Sequence, residues 1–209
     1  MYKYIIGKKV YVGNGEAVLD NNGIGYRFFI SDKTAGALLA SSENEAKLYT
    51  YLNVREDAME LYGFHSEDEL NSFKMLITVS GIGAKAAVSV LSVLSPEKLA
   101  ISVLSDDAKA IAAAQGIGLK KAQKIILEIK DKIAKDKASL KNAPSVKGSA
   151  VYDDNEDDCS EAINALIVLG YTPAEAASAV SSVDTAGKSL EKIIKEALKK
   201  ITEDKNTCR

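Results

Sequence analysis

Two different spacings of hydrophobic residues divide the chain. The first 64 residues carry five short runs rich in aromatic and β-branched residues, separated by Gly/Asn/Ser clusters such as GNG (13–15) and NNG (21–23). Five strands joined by such turns fit a small OB-like β-barrel. The runs are YKYIIGKKVYV (2–12), EAVLD (16–20), IGYRFFI (24–30), KLYTYLNV (47–54) and AMELYG (58–63).

From about residue 67 onward the apolar positions recur at helical spacing, which predicts an all-α region. Pro96 stands at a predicted helix start, where its missing N–H group is tolerated. A stretch without any period, containing Pro, Gly and Ser, predicts a flexible linker, and the segment after it predicts three short helices. The predicted fold class is therefore multidomain α+β. The predicted domains are 1–64 (barrel), 65–141 (all-α), 142–155 (linker) and 156–209 (three helices).

An internal repeat lies inside the all-α region. GIGAKAA (81–87) and GIGLKKA (116–122) begin 35 residues apart, and each predicts a helix, a tight glycine turn and a second helix. The glycines lack Cβ atoms that would hold a phosphate away from the backbone, and the following helix offers unpaired N–H donors. Two such units are suited to the backbones of a DNA duplex, a contact that is blind to base sequence. The candidate residues are Gly81, Ile82, Gly83, Gly116, Ile117 and Gly118, with Ile82 and Ile117 expected to anchor the turns in the core.

Charge is distributed unevenly, although the formal net charge is only −2. Residues 109–141 carry nine lysines against three acids, and residues 153–161 carry six acids and no base. Since the basic stretch surrounds the second glycine motif, it favours an anionic partner at that place.

Composition argues against several classes of protein. No apolar run approaches the length of a membrane span, and MYKYIIGKK (1–9) lacks the apolar region of a secretory signal, so we expect a cytoplasmic location without a membrane partner. Cys159 and Cys208 are far apart, belong to no CxxC motif and have no Cys or His residue near them in the sequence, which argues against a disulfide or a zinc site. The single histidine, His65, argues against a catalytic triad or a metal–histidine site, and we expect it to be structural.

A dinucleotide site is the competing interpretation of the first glycine motif. FKMLITVSGIGAKAA (73–87) is compatible with a strand entering GxGxxA, and KLAISVLSDD (98–107) with a second strand ending in an acidic ribose ligand. The chain would then be a nicotinamide-dependent enzyme with a basic tail. Against this, the segment before the second motif, AKAIAAA (108–114), is rich in alanine and has a low propensity to form a strand. AGKS (186–189) resembles the end of a P-loop, but Ser182 stands where its first glycine is needed, so we predict no ATP site.

Paired acids occur at three places. Asp106-Asp107 is expected at a helix N-terminus and Asp153-Asp154 in a solvated linker. Glu56-Asp57 interrupts an apolar strand pattern where a hairpin turn is predicted. From the residues alone, this pair is either a solvated hairpin tip or a functional group.

The C-terminal helices leave a similar choice open. Thr172 is predicted as an N-cap, with Pro173 at N1 and Glu175 at N3. Three helices in about fifty residues cannot bury every apolar side chain. Leu166, Leu169, Tyr171 and Leu198 are therefore either core residues or part of a partner-binding patch.

Five quoted motifs carry a resemblance to a known family. VREDAMELYGF (54–64), the tandem GIGxK hairpins, IILEIKDK (125–132), ALIVLGYTPAEA (165–176) and GIGYRF (23–28) closely resemble the RuvA family, the Holliday-junction-binding subunits of the bacterial branch-migration complex. The resemblance covers nearly the whole chain in one order, with only the linker unmatched.

The resemblance implies an OB-like domain, a tandem helix-hairpin-helix domain and a mobile, UBA-like three-helix domain that binds the RuvB motor. It implies homotetramers, or octamers on DNA, that hold a four-way junction open on a basic face in recombination and repair. The RuvC resolvase is a further implied partner. No cofactor and no catalysis by the chain itself are implied, because the ATPase site belongs to the motor.

The resemblance also assigns roles to residues. It implies that Glu56 and Asp57 are an acidic pin that repels phosphates as strands separate, and that Lys85, Lys120 and Lys124 contact the DNA backbone. The chain departs from the family at Ala84, where a proline is frequent, and at Leu119, where a basic residue is usual and Lys121 follows instead. Part of the set Leu166, Leu169, Tyr171 and Leu198 is implied to contact the motor.

Overall fold

The computed structural model describes residues 2–140, 156–185 and 188–207, so the predicted linker at 142–155 lies outside the described residues. The N-terminal part is a closed five-stranded barrel in the order β1-β2-β3-β5-β4. Strands β3 and β5 pair in parallel, and the other neighbours are antiparallel. This confirms the predicted barrel. Its elements are β1 Tyr4–Gly13, β2 Glu16–Asn21, β3 Ile24–Phe29, α1 Asp32–Ala40, β4 Glu45–Val54 and β5 Met59–Phe64.

The two short turns of the barrel explain the Asn-Gly pairs in the sequence. Asn14 and Gly15 have φ values of 53° and 75°, and Asn22 and Gly23 have values of 52° and 86°. Two successive residues with positive φ are the requirement of the tight turns that match the twist of antiparallel strands. The alternating apolar residues of these strands then point inward, where Leu19, Phe28 and Leu48 are fully buried.

Helix α1 closes one side of the barrel and was not predicted. Ser31 caps it by accepting a hydrogen bond from the Thr34 N–H group at 3.0 Å. The hydroxyl groups of Ser31 and Thr34 also donate to the carboxylate of Glu69, at 2.5 and 2.6 Å. Glu69 belongs to the first helix after the barrel, so this buried carboxylate ties the barrel to the helical region.

His65 completes this buried network. Its Nδ1 lies 2.9 Å from Glu69 Oε2. Burial alone would raise the pKa of Glu69, but the hydrogen bonds from His65, Ser31 and Thr34 outweigh it and lower the pKa. The hydrogen bond to Glu69 in turn raises the pKa of His65. The histidine therefore has a structural contact at the junction between the two folds.

Five helices lie between residues 67 and 140. Ser66, Ser95 and Asp107 cap three of them through side-chain oxygens, and Pro96 occupies the first turn after Ser95 as predicted. Within the described ranges no single helix has the length and hydropathy of a membrane span, and only α3 with α4 reach it together, as a pair bent by 95°. The helices are α2 Glu67–Ile77, α3 Ala84–Val93, α4 Pro96–Leu104, α5 Ala108–Ala112 and α6 Leu119–Leu140.

Three helices form the C-terminal part: α7 Glu156–Val168, α8 Pro173–Ser181 and α9 Leu190–Thr207. The predicted capping box is present, since Thr172 accepts from the Glu175 N–H group and the Glu175 carboxylate accepts from the Thr172 N–H group. Helices α7 and α9 pack against α4, so one hydrophobic core runs through both helical regions.

Candidate nucleic-acid interface

The two glycine motifs fold into hairpins of the same geometry. In the first, the Ile82 N–H group donates to the Val79 carbonyl at 3.0 Å; in the second, the Ile117 N–H group donates to the Ala114 carbonyl at 3.1 Å. Both isoleucine side chains are buried in the helical core. The hydrogen bond and the buried side chain together hold each turn against its own helix pair.

The four glycines of the hairpins have different reasons to be glycine. Gly81 and Gly116 have φ values of 86° and 79°, a conformation that other residues adopt only with strain. Gly83 and Gly118 lie outside that region, and a Cβ at either position would have no atom of the described residues within 4 Å. The fold therefore does not require glycine at 83 and 118. The open space lets an external group approach the backbone closely at these two positions.

Helices α3 and α6 begin directly after Gly83 and Gly118. The carbonyl groups of these glycines accept the first helical hydrogen bonds, from Ala87 and Ala122, both at 3.0 Å. The N–H groups of each first turn lack partners inside their own helix and point toward the hairpin. Each hairpin is thus a helix N-terminus with an open backbone in front of it, which is the arrangement that binds anions.

The lysines near the hairpins oppose the helix dipole. Lys85 lies in the first turn of α3, and Lys120 and Lys121 lie in the first turn of α6, while neither first turn contains an acid. A cation at a helix N-terminus costs about 0.3–1 kcal/mol of stability. A bound anion in front of the helix removes this conflict, so the placement favours phosphate binding over a purely structural role.

The four predicted lysines differ in their contacts. Within the described part of the chain, the exposed Lys85 and Lys120 form no ion pair. Lys121 Nζ donates to the Gly116 carbonyl at 3.3 Å, and Lys124 Nζ lies 3.7 Å from Glu128 Oε1. Lys85 and Lys120 are therefore the residues most available to a phosphate.

Glu128 couples the two hairpins. Its Oε2 accepts a hydrogen bond from the Ser80 N–H group at 3.0 Å, immediately before the first glycine motif. Glu128 belongs to α6, the helix of the second hairpin, so this contact sets the position of one hairpin relative to the other. The sequence analysis missed it because the two residues are 48 positions apart and Glu128 resembled an isolated acid in a basic stretch.

The acidic pair lies at the tip of the β4–β5 hairpin. The Arg55 N–H group donates to the Ala58 carbonyl at 2.9 Å and closes the turn, leaving Glu56 and Asp57 exposed between the strands. The predicted pair Asp153-Asp154 lies outside the described residues, and the pair Asp106-Asp107 has structural contacts. Asp107 caps α5, and Asp106 lies 2.6 Å from Lys130 Nζ.

The four candidate motor-binding residues are buried. Leu166 and Leu169 are fully covered, and Tyr171 and Leu198 are 6% and 4% exposed. The Tyr171 hydroxyl group hydrogen-bonds to the Asp68 carboxylate of α2, and burial raises the pKa of Tyr171. In this arrangement all four belong to the continuous core, so their contact with a motor stays a prediction.

The alternative dinucleotide site is wrong. Neither segment that it requires as a strand is one: residues 73–77 lie in α2, and residues 98–104 lie in α4. Among the residues with described side chains, no group of three His, Cys, Asp or Glu residues is placed to hold a metal ion.

Three family models match the chain in sequence order. The model of the RuvA N-terminal domain matches residues 1–63, that of a SAM-like helix-hairpin-helix tandem matches 73–131, and that of the RuvA C-terminal domain matches 157–202. The first match covers the barrel and the acidic hairpin, and the second covers both glycine hairpins.

Relatives match over nearly their whole length. A protein of Acetivibrio thermocellus named Holliday junction branch migration complex subunit RuvA is 49% identical, over 95% of this chain and 98% of the relative. Proteins of the same name from Ruminiclostridium cellulolyticum and Clostridium botulinum (strain 657) are 42% and 44% identical, over 96% and 95% of this chain and 100% and 98% of the relatives. With its barrel, twin hairpins and C-terminal helices in the same order, the chain belongs to the RuvA family.

Proposed function

We propose that the chain binds four-way DNA junctions without base-sequence specificity, holds them open and recruits the RuvB ATPase for branch migration in recombination and repair. The observation that carries this is the pair of equivalent hairpins, in which Gly83 and Gly118 leave an open backbone beside the exposed Lys85 and Lys120. The relatives' name, a subunit of the Holliday junction branch migration complex, agrees with this role.

The chemistry of the hairpins explains the lack of base specificity. Backbone N–H groups and lysines contact phosphates, which position a protein on DNA without reading its sequence. A junction that migrates presents new base pairs at every step, so a protein that stays bound must ignore them. The chain itself performs no catalysis in this proposal, and ATP hydrolysis belongs to RuvB.

The number of DNA arms suggests the assembly. One chain has one pair of hairpins, and four symmetric copies would offer one pair to each arm of a four-way junction. We therefore propose a homotetramer on one face of an open junction, acting in the cytoplasm. The other face can then take a second tetramer, giving an octamer, or the RuvC resolvase, but not both.

The acidic hairpin has a different role in the proposal. Glu56 and Asp57 stand exposed on a turn, and carboxylates near phosphates repel them. We propose that the pair is an acidic pin, which disfavours continuous duplex and guides strands that separate at the crossover.

Replacing both pin residues, Glu56→Lys with Asp57→Lys, is expected to raise affinity for linear duplex by roughly tenfold and for a junction much less, because attraction replaces repulsion where duplex would pass. Gel shifts at one fixed salt concentration measure both constants. Glu43→Lys with Glu45→Lys is a matched control, since Glu45 begins β4 and the pin follows its other end. If a folded pin variant has an unchanged junction-to-duplex affinity ratio, Glu56 and Asp57 are only the solvated tip of a hairpin.

A further inference from the structure

A third carboxylate lies on strand β5, which follows the acidic pin. Glu60 on β5 faces Asn53 on β4, one residue pair below the Val54–Met59 pair that precedes the turn. Its Oε2 accepts hydrogen bonds from the Tyr62 hydroxyl group at 2.9 Å and from Asn53 Nδ2 at 3.3 Å. Two donors therefore fix the direction in which this carboxylate points.

The stronger of the two donors is itself immobile. Tyr62 is 1% exposed, and its ring centroid lies 5.4 Å from that of Phe73 and 5.5 Å from that of Phe29. A phenol packed between two aromatic rings cannot follow a moving partner. Glu60 is thus held at a constant place on the hairpin, unlike the exposed acids at its tip.

The surroundings of Glu60 favour its charged form. The Tyr62 hydroxyl group lowers the pKa of Glu60, and the charges of Lys85 and Arg55 lower it further. Tyr62 and Lys85 also line the same cleft of about 510 Å³ between the barrel and α3. The carboxylate and the first DNA-binding hairpin consequently share one face of the molecule.

We propose that Glu60 is a specificity-determining residue that extends the acidic surface of the pin to Lys85. The inference rests on the proposed function. A phosphate held at Gly83 and Lys85 has this carboxylate on its barrel side, so a strand leaving the hairpin must turn away from the barrel. Strands that part at a junction crossover make this turn, whereas continuous duplex is too stiff to do so without cost.

Glu60→Gln tests the inference because glutamine keeps the shape and can still accept from Tyr62, while the charge is lost. Affinity for linear duplex is expected to rise by about threefold to tenfold, and affinity for a four-way junction by less than about twofold. The difference should shrink as salt is raised, since screening weakens an electrostatic effect. Glu45→Gln removes the same charge at the opposite end of β4 and should leave the junction-to-duplex ratio unchanged.

A second measurement separates repulsion at Lys85 from a structural effect. In a Lys85→Gln background, Glu60→Gln should change the junction-to-duplex affinity ratio by less than half of the change that it causes in the unmodified chain. The reason is that Lys85→Gln weakens the phosphate site on which Glu60 acts. If the unmodified chain prefers junctions but Glu60→Gln behaves as Glu45→Gln does, the inference is overturned and the proposed function stands. The inference is also overturned if the change in the junction-to-duplex ratio does not depend on salt, or if it is equally large with and without Lys85→Gln. If the unmodified chain shows no preference for junctions, the proposed function itself fails.

Discussion

Replacing Gly83 and Gly118 together with valine is expected to weaken binding to every four-way junction by at least about a hundredfold, whatever its base sequence. A branched side chain at either position occupies the open space in front of the helix N-terminus. A hydrogen bond to a charged group contributes about 1.5–3 kcal/mol, so losing one at each hairpin accounts for a change of this size. The dissociation constants are measured with several junction sequences at one salt concentration.

The structure also supplies the control for this experiment. Gly36 in α1 is exposed and, like Gly83 and Gly118, has open space where a Cβ would stand, so Gly36→Val adds the same side chain away from the hairpins. The double variant should also lose about 0.9 from the log–log salt slope for each phosphate that is no longer neutralised. Junction affinity equal to that of Gly36→Val, in a folded double variant, would refute the role of the hairpins.

Removing the residues after 142 is expected to abolish stimulation of the RuvB ATPase while junction affinity stays within about threefold of the full-length value. All proposed phosphate-binding residues lie between positions 81 and 124, and losing the interaction with even one phosphate would cost more than that. Helices α7 and α9 pack against α4, so the shortened protein exposes apolar surface and should melt at a lower temperature. Binding and ATPase assays therefore belong well below that melting temperature.

A fragment comprising residues 156–209 provides the complementary test. It should compete with the full-length chain for RuvB and leave junction binding untouched. Loss of junction binding by a folded protein ending at 142 would move part of the DNA site into the C-terminal helices. Retained ATPase stimulation would place the motor contact before them.

The barrel was predictable because the signals for each strand are local. Alternating apolar residues and Asn-Gly turns are properties of short segments, and all five predicted runs correspond to strands. Helix α1 was not predicted because its sequence, DKTAGALLA, contains Gly36 and buries only Thr34 and Leu38. Its apolar residues therefore do not recur clearly at helical spacing. Its capping residue, Ser31, was the one local signal of a helix start.

The glycine hairpins were predictable for the same reason, since a tight turn and a helix start are local. The contacts that position them were not. Glu128 meets Ser80 across 48 residues, and Glu69 meets Ser31 across 38. Such pairs depend on the packing of separate elements, and a single sequence gives no sign of which distant residues meet.

The C-terminal residues show a further limit. Leu166 and Leu169 are three residues apart, the spacing of one face of a helix, which predicts an apolar face but not what covers it. In the structure, the neighbouring helices cover that face. The packing of α7 and α9 against α4 places these residues in the core of this arrangement, and their contact with a motor stays a prediction.

The most direct test of junction recognition is the dissociation constant of the unmodified chain for three DNAs at one salt concentration. Two are four-way junctions of unrelated base sequence, and the third is a linear duplex of matched length. Because the hairpins contact phosphates and the acidic pin disfavours continuous duplex, the two junctions should bind within about twofold of each other and roughly tenfold or more tighter than the duplex. Equal affinity for junction and duplex, or a marked difference between the two junctions, would contradict sequence-blind junction binding.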